Sequence, residues 1–217
     1  MRDDGSPSLA PEYFDAVYAA SADPWHFQTS VYERAKYQRT LAALPRARFE
    51  RGVEIGCSIG VLTRQLALRC GHLLALDVNE SAVQKAGSDL AASASGSASA
   101  GRPGSVEFLQ MQVPQAVPPG KFDLIVVSEV GYYWSAADLH RSAEWMVGAL
   151  NEGGAVVLVH WTDPVADYPL TGDRVHAHFI DLALQGRLRR RYGEWHPRYR
   201  IDVFERAGTA PPLDEAP

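Results

Sequence analysis

Cysteine is scarce in this chain: two in 217 residues, Cys57 and Cys70. Two thiols build neither a disulfide framework nor a zinc site, and the simplest role for both is small, reduced packing residues. Basic runs are missing too. The formal net charge is -5, and a phosphate backbone needs a basic face, so nucleic acid is not an expected partner. No apolar run approaches the ~20 residues that span a bilayer. The N-terminal "MRDDGSPSLAPEYF" is acidic and polar, without an apolar signal segment. These absences point to a cytoplasmic protein with no membrane partner; nothing in the sequence sets an oligomeric state.

What is present is a chain with 46% hydrophobic residues, enough for one domain with a sizeable core. Tyr13, Phe14, Val17 and Tyr18 are apolar at helical spacing, which predicts a helix over Pro11–Ala20. "SADPWHFQT" breaks it, because Pro24 disfavours helix at Asp23. A second helix starts at Ser30, where Ser30 and Glu33 form a capping box, and runs to about Leu44 before Pro45.

Strands and helices then alternate. "GVEI", "LLALDV", "SVEFLQM", "FDLIVVSEV" and "GGAVVLVHW" read as strands. Helices are expected over 61–69, with Leu62, Leu66 and Leu68 on one side, over 80–92 with Asn79 as N-cap, and over 138–150. Such alternation implies a parallel sheet with helices on both faces. "AASASGSASAGRPGS", residues 91–105, has nothing to bury and reads as an inserted flexible loop. After a helix over 173–184, "RLRRRY" and "RYRIDVFER" alternate polar and apolar residues, as in an edge hairpin with one solvated side. The division expected is an N-terminal helical lid (1–45), a core (46–206) and a disordered tail (207–217), all one domain.

The chemistry centres on "VEIGCSIGVLTRQL", residues 53–66. A dinucleotide fingerprint wants G-x-G-x-x-G after the first strand. Here Ser58 stands at the middle glycine, and Gly60 follows Gly56 by four residues. The spacing fits E-x-G-x-[GS]-x-G from Glu54 instead. A pyrophosphate needs a helix N-terminus aimed at two phosphates. S-adenosylmethionine (SAM) has no phosphate; an acid at the strand end and free turn carbonyls suit its ammonium and sulfonium. Asp77, ending the second strand, can accept from both ribose hydroxyls. That feature is shared by NAD and SAM proteins and does not choose between them.

With these segments the chain resembles the class I SAM-dependent methyltransferases, and more narrowly the NodS nodulation N-methyltransferase family. The resemblance rests on "DPWHFQTSVYERAKY", "VEIGCSIGVLTRQLA", "LLALDV", "FDLIVVSEVGYYW" and "LNEGGAVVL", from about Asp23 to Val159. It implies an α/β Rossmann-like class I methyltransferase fold: a seven-stranded, mostly parallel sheet ordered 3-2-1-4-5-7-6, with helices on both faces and a helical lid. It implies SAM as cofactor, with Glu54, Gly56, Ser58 and Gly60 around its methionine end and Asp77, beside Val78, on the ribose. Trp25 and Lys36 would come from the lid, Lys36 pairing with the SAM carboxylate. The activity implied is N-methylation of a small-molecule amine, as on an amino sugar or oligosaccharide.

Two segments depart from the family pattern. Where the class often carries an aspartate for the adenine amino group, this chain has Gln112. Its side-chain carbonyl can still accept, together with the Met111 or Val113 backbone. "HWTDPVADYPLTGDRVHAHF" does not look like the nodulation enzymes, which leaves the acceptor open.

Methyl transfer from a sulfonium depends on alignment of nucleophile, methyl and sulfur. A general base helps only where the nucleophile must lose a proton. At the ends of strands four and five, Ser128 is a candidate cofactor contact, Glu129 and His160 are candidate proton-handling residues, and Tyr132, Tyr133 and Trp161 candidate acceptor contacts. The alternatives are structural: His160 as a satisfied edge histidine, Glu129 as a helix-entry acid, Trp25 as lid packing. His176 and His178 lack a third ligand at suitable spacing, so no metal is expected. Arg187, Arg189, Arg190 and Arg191 read as a solvated strand face that an anionic acceptor could use. O-methylation, an NAD(P)-dependent oxidoreductase and a non-catalytic SAM-binding protein are the competing functions.

Overall fold

The computed structural model describes residues 5–94 and 103–207. The centre of the expected small-residue loop, 95–102, and the expected disordered tail from 208 on lie outside them. Among the described residues seven strands form one sheet: β1 (Phe49–Ile55), β2 (Cys70–Asp77), β3 (Ser105–Gln110), β4 (Phe122–Ser128), β5 (Leu150–Trp161), β6 (Leu188–Trp195) and β7 (Tyr199–Arg206). Their order is β3-β2-β1-β4-β5-β7-β6. β7 runs antiparallel to both β5 and β6, and the other neighbours are parallel. β1 lies between β2 and β4, so the strand order reverses there and opens a crevice at the C-terminal strand ends.

Among the described residues six α-helices accompany the sheet: α1 (Pro11–Ala20), α2 (Val31–Ala43), α3 (Val61–Leu66), α4 (Glu80–Ala94), α5 (Ala136–Ala149) and α6 (Gly172–Leu184). Successive strand side chains point to opposite faces. In β4, Leu124 and Val126 pack with Tyr37 of α2 and Leu62 and Leu66 of α3. Ile125 and Val127 pack with Met146 of α5 and Phe179 of α6. Both faces are therefore dry, which is why the central strands read as unbroken apolar runs. Each such Leu, Ile or Val contributes about 1.5–3 kcal/mol on burial. Both cysteines are free and buried.

Three local readings change. α3 stops at Leu66, not Arg69, because β2 already begins at Cys70 and the Arg69 side chain turns to cap the Ala47 and Arg46 carbonyls (2.6 and 2.7 Å). Leu68 is left exposed. Only half of the capping box forms: Ser30 Oγ accepts from Glu33 N at 3.2 Å, but the Glu33 carboxylate turns inward to Lys36 Nζ, 2.9 Å away. Ser30 N donates to the His26 carbonyl instead. The largest change is at β7, whose polar residues were expected to face water. Asp202 is fully buried and Arg200 nearly so. α6 packs over that face, and His176 and Arg190 supply hydrogen bonds to Asp202.

Candidate active site

A cavity of about 450 Å³ opens at the ends of β1, β2, β4 and β5. Its size is that of a small-molecule site. The floor is the turn after β1. Gly56 adopts φ +79°, and a Cβ there would lie 2.0 Å from Val130 Cγ2, so only glycine fits. Ser58 is also left-handed, at φ 49°. Its N–H donates to Asp77 Oδ2 (2.8 Å), and Asn79 N donates to Asp77 Oδ1 (3.0 Å). The Asp77 carboxylate is thus fixed by two backbone donors, with lone pairs left for a ligand. Burial raises its pKa, and the backbone N–H groups of Asn79, Ser58 and Val78 partly oppose that.

The lid closes over this floor. Leu9 N donates to the Tyr133 carbonyl (2.9 Å), and Ser8 Oγ bridges Asp138 and Ser135 N. That latch holds α1 down. Phe14 packs edge-on against Tyr133, and Tyr18 against Trp25, which stacks on Phe27. Tyr18 OH donates to Ser58 Oγ at 2.6 Å, tying lid to turn.

The acceptor side is aromatic and acidic. Tyr132 and Tyr133 come from a 3-10 turn, Gly131–Tyr133, and pack with Tyr168 at centroid distances of 4.7, 5.1 and 4.8 Å. Trp134 and Trp161 complete the wall. Glu129 has φ 58°, a strained value for a non-glycine residue. Its carboxylate accepts from Lys36 Nζ (2.6 Å), Tyr132 OH (2.5 Å) and Trp161 N (3.0 Å). Lys36 is almost wholly buried between Glu129 and Glu33. Burial lowers its pKa, but the two carboxylates outweigh that and keep it above the ordinary value. Burial pushes Glu33 up.

Of the residues singled out in the sequence, Trp25, Lys36, Gly56, Ser58, Asp77, Val78, Met111, Gln112, Ser128, Glu129, Tyr132, Tyr133 and Trp161 all line this one cavity. Three do not. Gly60 caps α3 and packs on Ala86 of α4. Glu54 is buried beside a crevice of about 20 Å³ behind the turn and accepts from Thr63 Oγ1 at 2.6 Å. His160 lies wholly behind the cavity wall, because its ring is held between Gly131 N–H and His176. It cannot serve as a base at the cavity from there. Two of the three N–H donors of Lys36 are already taken by Glu33 and Glu129, which puts its expected pairing with a SAM carboxylate second to those contacts. The arginines of β6 are not free for an anion either: Arg190 is bound to Asp202, Arg189 and Arg191 pair with Glu205, and Arg187, just before the strand, pairs with Glu144. Among the described residues no group of three His, Cys, Asp or Glu could hold a metal ion, and no helix is long and apolar enough to cross a membrane.

Sequence reasoning missed Phe14, Tyr18, Phe27, Glu33 and Tyr168 as lining residues. For Phe14 and Tyr18 a signal existed: an apolar helical stripe with nothing nearby in sequence to cover it. Tyr168, in a loop, gave none.

The model of the family Nodulation protein S (NodS) matches residues 17–166. Nodulation protein S of Rhizobium tropici is 28% identical over 140 residues, 64% of this chain and 55% of that protein. The chain spans between 55% and 60% of the length of the curated relatives it matches. Among solved structures, the N-methyltransferase NodS of Bradyrhizobium japonicum WM9, in complex with S-adenosyl-L-homocysteine, superposes at a TM-score of 0.74 with 22% identity, over 90% of this chain and 97% of that one. A crystal structure from Pseudomonas syringae is 34% identical over 82% of this chain and all of the other, at a TM-score of 0.64. The fold is the class I SAM methyltransferase fold. The family match ends ahead of α6, β6 and β7, and Tyr168 lies beyond it.

Proposed function

Because the chain belongs to the nodulation protein S family, we propose that it is a SAM-dependent methyltransferase acting on the amine of a small-molecule acceptor. Residues 1–45 act as the lid and 46–206 as the core of one domain. The observation that carries the reading is the left-handed Gly56–Ser58 turn clasped to the buried Asp77 carboxylate, both opening on one aromatic-walled cavity. Asp77, with Val78 beside it, takes the ribose hydroxyls. The Gln112 carbonyl and the backbone at Met111 and Val113 take the adenine edge. Gly56, Ser58 and Ser128 face the methionine end, and Trp25 covers it from the lid. SAM supplies a methyl group already activated on a sulfonium.

The protein's part is alignment and exclusion of water, which can supply roughly 7–11 kcal/mol of barrier lowering. The lid latch at Ser8 and Leu9 supports the exclusion. Tyr132, Tyr133, Tyr168 and Trp161 orient the acceptor. An attacking amine must be neutral. Glu129 is the carboxylate that shares this wall, and we assign it the amine and the proton the amine gives up. Lys36 and Tyr132 keep that carboxylate aimed, which gives Lys36 a role even with its charge spent on the protein.

A thermal-shift series separates the cofactors: SAM and S-adenosylhomocysteine should stabilise the protein and NAD should not. A tritiated-methyl assay against amino sugars and phenols then tests the acceptor. Stabilisation by NAD alone sinks the cofactor assignment. Labelling of phenols but no amine makes it an O-methyltransferase, and full activity in Glu129→Gln removes the proton role.

A further inference from the structure

Behind the tyrosine wall runs a line of buried polar groups that the chemistry above does not use. Gly131 N donates to His160 Nε2 at 3.0 Å. His160 Nδ1 lies 3.1 Å from His176 Nε2, and His176 Nδ1 lies 2.5 Å from Asp202 Oδ2. His160, His176 and Asp202 are all fully buried. The far end is anchored by charge: Arg190 Nε donates to Asp202 Oδ1 at 2.6 Å, and Arg200 Nε is 2.5 Å from Oδ2.

The two ends dictate where the protons sit. A backbone N–H can only donate, so His160 Nε2 must be the unprotonated nitrogen. A neutral imidazole then carries its proton on Nδ1 and donates it to His176 Nε2. His176 in turn carries its proton on Nδ1 and donates to the carboxylate. Burial holds both rings below the ordinary histidine range, so both are neutral. Burial raises the Asp202 carboxyl, but the His176 bond and the arginine charges outweigh it and keep it ionised. One arrangement of protons satisfies both rings and the Gly131 amide, and it is directional, each donor pointing from the cavity wall towards Asp202 on β7. It does not carry a proton into the cavity, because it ends on a backbone amide that does not ionise at working pH.

What the line can do is hold the turn. Gly131 opens the 3-10 turn that presents Tyr132 and Tyr133. The His160 ring also packs edge-on against Tyr132 at 5.5 Å, and Tyr132 OH donates to Glu129. Clearance is minimal: a Cβ on Gly131 would lie 2.9 Å from His160 Nε2 and 2.7 Å from Val175 Cγ1 of α6. Other backbone ties of the turn include Leu170 N to the Tyr132 carbonyl and Leu9 N to the Tyr133 carbonyl. Losing the Gly131 tie frees the start of the turn and leaves a buried N–H unpaired.

We propose that Asp202 and His176 are positioning residues which, through one fixed tautomer of His160, set the turn carrying Tyr132 and Tyr133 and with it the acceptor wall. The role rests on the methyltransferase reading of the cavity. His176 and Asp202 lie beyond the family match, in the segment the resemblance leaves unexplained.

The test has two arms. The first is ¹⁵N NMR of the histidine ring nitrogens in the full wild-type chain, with no ligand. His160 and His176 should both be Nδ1–H tautomers, and an Nε2–H tautomer at either overturns the proposal. The second is kinetic. Asp202→Asn removes the charge that fixes the His176 proton; with the amide NH2 turned to His176 Nδ1, read from the ring ¹⁵N shifts of the variant, both rings reverse and His160 Nε2–H meets Gly131 N–H. The acceptor KM should rise about tenfold, as expected for an unpaired buried donor, while SAM affinity changes less than about twofold. His160→Phe should match it, and the double variant should add nothing to KM. An unchanged acceptor KM, an equal loss of SAM affinity, or additive effects overturn the positioning role. Should Asp202→Asn not fold, His160→Phe carries the same test with Asp202 and its arginines intact. Wild-type protein that methylates no acceptor overturns the functional reading, and the role with it, even where the tautomers are as stated.

Discussion

Glu54 should make the protein less stable as pH rises through neutrality. It is 1% exposed, and its one strong partner is the Thr63 hydroxyl. Burial, partly opposed by that hydrogen bond and reinforced by Asp77, raises its pKa from 4.5 to about 8. The unfolded chain gives up this proton near the ordinary carboxylate value, whereas the folded chain keeps it to about pH 8. Between those limits the native state binds more protons than the unfolded state, so stability falls with increasing pH. The fall is about 1.4 kcal/mol per pH unit for one proton, or roughly 5 kcal/mol over the whole interval. Glu54→Gln keeps the shape, stays neutral and can still pair with Thr63. Urea unfolding of both proteins at about pH 6 and about pH 8 should show wild type losing roughly 2 kcal/mol more than the variant. The variant should be the more stable of the two above about pH 8. Thr63→Val should carry the fall on to higher pH, because the hydroxyl favours the ionised form. Parallel stability curves for wild type and Glu54→Gln would refute the reasoning, since they would mean that Glu54 ionises in place at no cost.

Three further outcomes follow from the floor of the cavity. Gly56→Ala meets both a left-handed φ and Val130 Cγ2, and should lose about 1–3 kcal/mol of stability by urea unfolding. Adding Val130→Ala should recover the part due to the clash and leave the φ strain. Asp77→Asn removes a charged acceptor and turns an amide donor towards Ser58 N–H or Asn79 N–H; SAM affinity by calorimetry should fall about 10- to 100-fold. Tyr18→Phe leaves the Ser58 hydroxyl without its lid donor. That should cost about 1 kcal/mol, read as a roughly fivefold weaker SAM affinity with the acceptor KM unchanged; a larger effect on the acceptor would place Tyr18 in a different role.

What was legible in the sequence was the part whose neighbours are close in sequence. β1, β2 and β4 show as apolar runs because both their faces are dry. The Gly56 turn and Asp77 show because each sits at the end of its own strand, and strand order then brings them together. The polar residues that moved between reading and structure share the opposite property. Glu33 looked like half of a capping box, but its partner Lys36 is drawn inward by Glu129, just after β4 and far along the chain. His160 looked like a residue at the ligand edge, but α6 supplies His176 behind it. In β7, the alternation of Arg200 and Asp202 with apolar residues looked like one wet face, because period-2 polarity is normally matched by water.

The alternation in β7 is equally compatible with a dry face, provided each polar group meets a partner from another element. Here α6 and β6 supply those partners. Leaving Asp202 buried without them would cost several kcal/mol, so the ion pairs are a condition of the strand's place in the sheet. Burial of this kind is expensive and adds little net stability over an apolar face of the same shape. An Asp202→Leu, Arg190→Leu, Arg200→Met triple variant should therefore lose in urea unfolding no more than the roughly 1–3 kcal/mol of the His176 N–H it leaves unpaired. It should still lose acceptor affinity, because His176 then has no carboxylate to fix its proton. A triple variant with both stability and acceptor KM intact would leave the buried charges of β7 without a purpose in this fold.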